Sequence, residues 1–473
     1  MEGPAIINRR SQKGSTVQYF APGGDQFVGD CMPWHHDGTF HLFYLLDQGH
    51  HQGLGGLGGH QWAHASTRDL VRWQHHPLAL PLAEPWEGSI CTGSALHHAG
   101  VFHAFYAVRA RDYSQHLAHA VSDDGITFRT PRPHPFLSPP AGYAPNDFRD
   151  PCVFAGADGQ FHMLVTSRLD PFPLHERGGC LLHLVSPDLW QWHVVGPLLV
   201  PGGAAGYQAV PECPDYFVWN GWHYLLFGQG LQTRYRVARD LAGPWRRPPR
   251  DTLDTAFCAV MKTAPFGDGR RIGVGWAGPR RDARDDGPML WGGVAVFREL
   301  VQHADGTLGT RFAPELMPAT GDALPLTLEA LTPGCLGDGR RVQLRGWETQ
   351  EVAALDTLPR RCHIRCRVEP LAGAARFGLG LRGSGPFAAS YDLAFTPATG
   401  EVALAQERLA PVDRLDQPFT LDVLLHDDVI DVCVDGRQCL INRLPGLQGE
   451  RLFLFCEHGE VTFDQIAARP LLP

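Results

Sequence analysis

Residues 35–45, "HHDGTFHLFYL", decide the fold, because the chain repeats them three more times. "HHAGVFHAFYA" at 97–107, "AGADGQFHMLVTS" at 155–167 and "VWNGWHYLLFG" at 218–228 align on His41, His103, His162 and His223, at intervals of 62, 59 and 61 residues. Each copy holds an alternating apolar run, a tight turn carrying Gly and a second run, the pattern of a β-hairpin. A second motif trails each of the first: "HASTRDLVRWQ" at 64–74, "HAVSDDGITFRT" at 119–130, "HLVSPDLWQWHV" at 183–194 and "RVARDLAGPWRR" at 236–247. These read as two further strands joined by an Asp-containing turn. A fifth, more divergent unit runs through "FCAVMKTAPFGDGRRIGVGWAG" at 257–278 and "LWGGVAVFREL" at 290–300. Five four-stranded units meet the needs of a β-propeller, whose radial repetition protects sheet edges. The expectation is all-β, with a five-bladed β-propeller over residues 1–315.

Beyond that the repeat is lost. After a linker at 316–324, within "PELMPATGDALP", come alternating runs such as "RCHIRCRVEP", "RFGLGLRG" and "RLFLFCEHGEVTF" at sandwich-like spacing. A C-terminal β-sandwich over 325–473 follows.

Composition excludes several partners. Charged residues are 19% of the chain and the formal net charge is -9, which favours neither nucleic acid nor an anionic membrane. The N-terminal "MEGPAIINRRSQKGS" lacks the apolar core of a signal peptide, and no run approaches the roughly 20 apolar residues of a membrane span. A cytoplasmic location is therefore expected. The 12 cysteines show no metal spacing and read as reduced thiols. Lysine occurs only at positions 13 and 262, which fits codon bias. No cofactor or metal is expected, and the expected ligand is a small carbohydrate.

Register points to chemistry. Counting back 11 positions from His41, His103 and His223 reaches Asp30, Thr92 and Glu212, and counting back 12 from His162, whose turn is one residue longer, reaches Asp150. The first strand of each propeller blade lines the central channel, so these residues should converge at one mouth. Converging carboxylates suit glycoside hydrolysis, in which one attacks or activates water and another, its pKa raised by burial and like charge, protonates the leaving oxygen. Any one of them alone would read as a turn residue; three in register do not.

Strand order also sorts the loops. The hairpin histidines His35, His36, His97 and His98 fall at the far end of the channel and read as solvated side chains rather than metal ligands. The rim near the acids receives "DQGHHQGLGGLGGHQ", "VRARDYSQ", "SRLDPFPLHERGG" and "GQGLQTR". The first lacks the Lys and the strand-to-helix setting of a phosphate loop. The others carry Arg109, Arg111, Arg168, Arg177 and Arg234, placed to meet a polar or anionic leaving group or solvent. Cys31, Cys91, Cys152, Cys213 and Cys258 lie in or near the acid layer and read as packing in crowded inner strands.

Several strings resemble glycoside hydrolase family 32, the invertase, fructanase and sucrose-6-phosphate hydrolase group. "FRDP" at 148–151 and "EC" at 212–213 match two family signatures; "QWAHASTRDLVRWQHHPLAL" at 61–80 is similar to its "WGHA...DL..W...P.AL" segment, "TGSAL" at 92–96 to its "SGSA", and "DVIDVCVDGRQCLINRL" at 428–444 to its sandwich signature. The resemblance implies a five-bladed propeller with a β-sandwich and a retaining double displacement on a β-fructofuranoside. Asp30 would be the nucleophile, Glu212 the general acid and base, and Asp150 a stabiliser that holds ring hydroxyls with Arg149. Where the family has "WMNDPNG", this chain has "FVGDCMP", so Gly29 replaces Asn and Cys31-Met32-Pro33 replaces Pro-Asn-Gly; Leu45 stands where a Gln is usual. Gly29, Met32 and Leu45 are therefore expected at the sugar, along with Trp62, Thr92, Cys213 and Asp254. These departures suggest another fructoside or furanoside in place of sucrose. An inverting arabinofuranosidase or xylosidase of the related family 43, a fructosyltransferase and a non-catalytic sugar-binding propeller remain as alternatives.

Overall fold

The computed structural model describes residues 19–171, 178–200, 210–355, 357–371 and 373–472. Five antiparallel sheets follow one another along the first two thirds of the chain, as the repeat requires. Blade 1 comprises Phe27–His36, Thr39–Asp47, Gln61–Thr67 and Gln74–His75; blade 3 comprises Tyr143–Ala155, Phe161–Leu169, Gly179–Ser186 and His193–Leu199. Blade 2 (Glu87–His98, Val101–Ala110, Gln115–Ser122) and blade 4 (Glu212–Trp219, Trp222–Gln229, Gln232–Ala238) have three full strands each. Their outer edges are met by bridges, Val121 to Arg129 and Leu117 to Leu137 in one, Val237 to Arg246 and Arg234 to Thr252 in the other.

Blade 5 closes the ring. Its strands Ala259–Phe266, Arg270–Ala277 and Val294–Gln302 are joined at the outer edge by Tyr19–Phe20, where Tyr19 pairs with Val296 and Phe20 with Ala295. An N-terminal strand thus completes the last sheet, leaving no open seam. Two residues are too few to show a strand period in sequence.

Two local features explain the repeat. The hairpin turns Asp37-Gly38, Ala99-Gly100 and Asn220-Gly221 place both residues at positive φ, which matches the twist of paired strands and favours Asn, Asp or Gly. The aligned histidines are paired: His41 Nδ1 meets His64 Nε2 at 3.0 Å, His103 meets His119 at 2.9 Å and His162 meets His183 at 2.8 Å. In blades 1 to 3 the two sequence motifs therefore join through one hydrogen bond between the second and third strands. In blade 4 the third strand offers Arg236 instead, and His223 bonds the Tyr216 hydroxyl at 2.7 Å.

The following Asp closes the next turn. Asp69, Asp124 and Asp188 each accept two backbone N–H groups of the next three residues. Such local bonds supply the turn that returns the chain to the blade edge.

The C-terminal sandwich is organised by one 20-residue strand, Arg451–Pro470, which pairs with Val342–Leu355, Cys362–Pro370 and Arg376–Ser384. Its core gathers Ile364, Phe377, Leu379, Phe395, Val423 and Leu454. The last propeller strand ends at Arg311 and the first sandwich strand is Leu328–Ala330. Between them, Leu324 N–H bonds the Ala468 carbonyl at 2.8 Å, so the expected linker lies along the sandwich.

Asp254, expected at the sugar, lies away from Asp30, Asp150 and Glu212. It is buried between the two domains, accepting from Arg298 Nε at 2.7 Å, while Arg298 grips Asp431 of the sandwich through both terminal nitrogens at 3.0 and 2.8 Å. Tyr19 adds its hydroxyl to Asp431 at 3.0 Å. Burial, with Asp431 adding to it and Arg298 opposing, holds the Asp254 carboxyl up at about 6. A lone carboxylate in a loop gave no sequence sign of this partner. Among the described residues no helix is long and apolar enough to cross a membrane.

Candidate active site

Every inner strand is interrupted at the same depth. In each blade two residues oppose one of the neighbouring strand: Gly29-Asp30, Cys91-Thr92, Asp150-Pro151, Cys213-Pro214 and Val260-Met261. Such bulges bend a strand and re-aim its side chains. Asp150, Cys213 and Val260 take positive φ of 56, 51 and 50°, conformations L residues adopt at a cost. The five bulges form a ring around the channel, and that ring is the floor of the site.

Asp30, Thr92 and Asp150 lie within bulges, Asp30 and Thr92 as the second bulge residue and Asp150 as the first, one position short of the expected register. Glu212 does not. It pairs with Gly228 immediately before its bulge. The reason is the blade 4 hairpin: Val218 pairs with His223 five positions on, whereas Trp34 pairs with His41 seven on. Counting back 11 from His223 therefore overshoots by two. Glu212 still reaches the same cavity from its different level.

That cavity, about 100 Å³, is lined by Asp30, Asp150, Glu212, Arg149, Thr92, Cys91, Cys213 and Leu45, together with His51, His60, Arg109, Leu231, Val260 and Trp291. Cys213 links the acids: its N–H donates to Asp150 Oδ2 at 3.0 Å and its thiol lies 3.6 Å from Asp30 Oδ2. Asp30 also accepts from Thr92 Oγ1 at 2.8 Å and from Trp276 Nε1 at 2.9 Å. Thr166 Oγ1 donates to Asp150 at 3.1 Å. Arg149 bonds Glu212 Oε1 through Nη2 at 2.7 Å and Asp147 through Nη1 at 2.8 Å, with Nε 3.6 Å from Asp150.

The electrostatics follow from burial and crowding. Burial raises the Asp30 carboxyl and the charge of Asp150 raises it further, while the bonds from Trp276 and Thr92 pull it down. Glu212 keeps 39% of its side chain accessible. Even so, loss of bulk water in the cavity raises its carboxyl, Arg149 opposes this, and Asp150 and Asp30 add to the rise. For Arg149 burial acts downward, but Glu212, Asp150 and Asp147 outweigh it and hold the guanidinium above its ordinary range.

Three expected sugar contacts are placed elsewhere. Trp62 is buried behind the wall, its Nε1 donating to the Cys91 carbonyl at 2.8 Å. Met32 points between blades 1 and 2, where its sulfur receives the Gly93 N–H at 3.2 Å. Gly29 does not line the cavity; a Cβ there would stand 2.0 Å from the Trp291 ring, so the indole occupies the space a side chain would need. Leu45, Thr92 and Cys213 do face the site.

Residues missed in the sequence come mainly from the rim loops. His51 and His60 descend from the Gly-rich stretch, and His60 stacks on Trp291 at 4.4 Å while bonding the buried Asp47 at 3.1 Å. Of the rim arginines, Arg109 reaches the cavity and bonds His51 at 3.2 Å. Arg168 pairs with Asp147, Arg234 with Asp251, and Arg111 bonds the Pro85 carbonyl. Arg177 lies outside the described residues. The five bulge-layer cysteines are buried and unpaired, as packing requires. Trp276 and Trp291 carry no signal in the sequence that separates them from core tryptophans.

The description "Glycosyl hydrolases family 32 N-terminal domain" matches residues 31–308, more than half of the chain. The chain belongs to glycosyl hydrolase family 32. It is therefore a glycoside hydrolase, and the family 43 alternative is set aside. Among family 32 relatives, raffinose invertase of Escherichia coli is 26% identical over 466 residues, covering 90% of this chain and 88% of the relative. Sucrose-6-phosphate hydrolase of Klebsiella pneumoniae is 31% identical over 290 residues, 55% of this chain and 60% of that one. Fructan 1-exohydrolase IIa of Cichorium intybus shares the fold, with a TM-score of 0.71 at 18% identity over 96% of each chain. Sucrose-6-phosphate hydrolase of Lactobacillus gasseri does so with a TM-score of 0.69 at 17% identity, covering 94% of this chain and 91% of that one. The family 32 match begins at Cys31, one residue after Asp30 and within the strand Phe27–His36 whose residues depart from the family pattern.

Proposed function

We propose that the protein releases fructose, or a closely related furanose, from a β-fructofuranoside by a retaining double displacement. Convergence of Asp30, Asp150 and Glu212 on one small cavity carries this reading. The Asp30 carboxylate attacks the anomeric carbon, and the glycosidic C–O bond breaks as the Glu212 carboxyl passes its proton to the leaving oxygen. A glycosyl ester of Asp30 results. Glu212, now a carboxylate, takes a proton from water; the water oxygen bonds to the anomeric carbon and the ester bond breaks, restoring Asp30.

The surroundings support these roles. Hydrogen bonds from Trp276 and Thr92 favour the ionised Asp30 a nucleophile needs. Glu212, at the mouth with its carboxyl raised, suits an acid that meets the leaving group. Asp150, held by Cys213 N–H and Thr166, suits a residue that accepts from ring hydroxyls beside Arg149. With Leu45, Leu231, Val260 and Trp291 in the wall, the site offers an apolar face, which supports a fructoside other than sucrose. The test is release of reducing sugar from a panel of β-fructofuranosides: Asp30→Asn and Glu212→Gln should each lose several orders of magnitude in kcat. Full activity in either variant removes the assignment.

A further inference from the structure

Lysine is almost absent from this chain, with Lys13 and Lys262 among 41 basic residues. Lys262 is nevertheless buried, 3% exposed, in the inner strand of blade 5 immediately after its bulge. Its Nζ donates to the Gly93 carbonyl of blade 2 and to the Pro214 carbonyl of blade 4, both at 2.9 Å. Both partners are neutral, so this buried ammonium is stabilised by carbonyl dipoles rather than by a bonded carboxylate, an expensive arrangement for a cation. A compact, rotatable donor on a long stem can reach two carbonyls across a channel, whereas a planar guanidinium needs more room.

What it joins is informative. Gly93 follows Thr92, whose hydroxyl donates to Asp30. Pro214 follows Cys213, whose N–H donates to Asp150 and whose thiol touches Asp30, and Cys213 itself follows Glu212. Gly93 has no slack, since a Cβ there would stand 1.9 Å from the Phe105 carbonyl oxygen. Lys262 therefore ties together the two bulges that hold the partners of Asp30 and Asp150.

We propose that Lys262 is a positioning residue for the glycosidic reaction, fixing the blade 2 and blade 4 bulges across the channel and lending its charge to the ionised acids. The inference rests on the reading of Asp30 and Glu212 given above. Two titratable groups face the ammonium, Cys152 in blade 3 and Cys213 in blade 4, and Cys152 in turn faces Asp215 of blade 4 and Arg271 of blade 5. Asp215 is engaged by Thr263 N–H at 2.9 Å, and Arg271 by the Thr263 hydroxyl at 2.7 Å. The field of Lys262 acts on the Cys213 thiol, 3.6 Å from Asp30, together with those of Asp30, Asp150 and Glu212.

Two variants test this, Lys262→Met and Lys262→Gln, with kcat, KM, the pH profile of kcat/KM and the unfolding midpoint measured for each. Displacement of the bulges should lower kcat of Lys262→Met about a hundred-fold with a smaller change in KM. Loss of the positive charge should move the acid limb of the profile to higher pH in both variants. Lys262→Gln, which keeps two N–H donors, should recover part of kcat and none of the pH shift. If folded Lys262→Met keeps the wild-type kcat and acid limb, or loses activity only in proportion to its unfolded fraction, Lys262 has no such role. Active Asp30→Asn and Glu212→Gln enzymes would instead remove the underlying reading, whatever the lysine variants do.

Discussion

Trp276 donates its indole N–H to Asp30 Oδ1 at 2.9 Å from the second strand of blade 5, which packs directly against the blade that carries the acid. The bond favours the carboxylate over the carboxyl form against burial and the charge of Asp150. Trp276→Phe removes the donor and leaves most of the ring. We predict that kcat/KM falls about ten- to a hundred-fold. Because the lost bond had lowered the Asp30 pKa, the acid limb of kcat/KM should move to higher pH; an unchanged limb would show that Asp30 is not the group whose ionisation is seen there.

Gly29 and Trp291 exclude one another's neighbours. Restoring the Asn usual in the family at position 29 would drive a Cβ into the indole, and even Gly29→Ala should cost about 1–3 kcal/mol of stability, as overpacked sites do. Activity on any β-fructofuranoside should fall with it. Trp291→Ala in the Gly29→Asn background should relieve the stability loss, measured by thermal unfolding. If Gly29→Asn is as stable and active as the parent, the indole does not occupy that space.

The paired histidines make acid the weak side of the fold. Burial, with like-charge repulsion from neighbouring histidines, lowers His41, His103 and His183 to about 4, His119 to about 3 and His64 to about 2. A base with a depressed folded pKa binds fewer protons folded than unfolded, so stability is present above the usual value of 6.5 and is lost as pH falls toward 4. Thermal unfolding should drop by about 5 °C or more between pH 6.5 and 4.5. In a His103→Leu, His119→Phe double variant the curve should be flatter; an identical slope would show that this pair does not carry the effect.

At the domain interface Arg298 is the one cation between Asp254 and Asp431 in the described network. Arg298→Met strands two buried carboxylates and should cost about 3–5 kcal/mol in urea unfolding. Because removing the arginine lets both carboxyls rise further, the loss should shrink as pH is lowered. A loss that stays constant down to pH 4 would place its origin in packing instead.

How much was legible depended on period. His41, His103 and His162 marked the blades because each is paired with a histidine of the second motif, so a structural bond repeated in the sequence. Asp30 and Asp150 follow by counting back from those histidines, although Asp150 is the first residue of its bulge and Asp30 the second. Glu212 lines the cavity but from a different level, since a hairpin shortened by one residue on each strand leaves no trace in a count from His223. Trp62 and Met32 lie one layer behind the wall, and adjacency in sequence to a site strand does not tell which face a bulged strand presents. Asp254 answers to Asp431, far along the chain, and contacts of that kind have no local signature.

The central claim, a covalent ester on Asp30, is tested most directly by trapping it. Glu212→Gln should still be glycosylated by a β-fructofuranoside whose leaving group needs no acid, yet lack the base that admits water. Mass spectrometry of the rapidly quenched variant, followed by proteolysis, should find one glycosyl unit on the peptide that carries Asp30 and none on that carrying Asp150. An unmodified protein that turns over the same substrate, or a glycosyl unit on another carboxylate, would contradict the account.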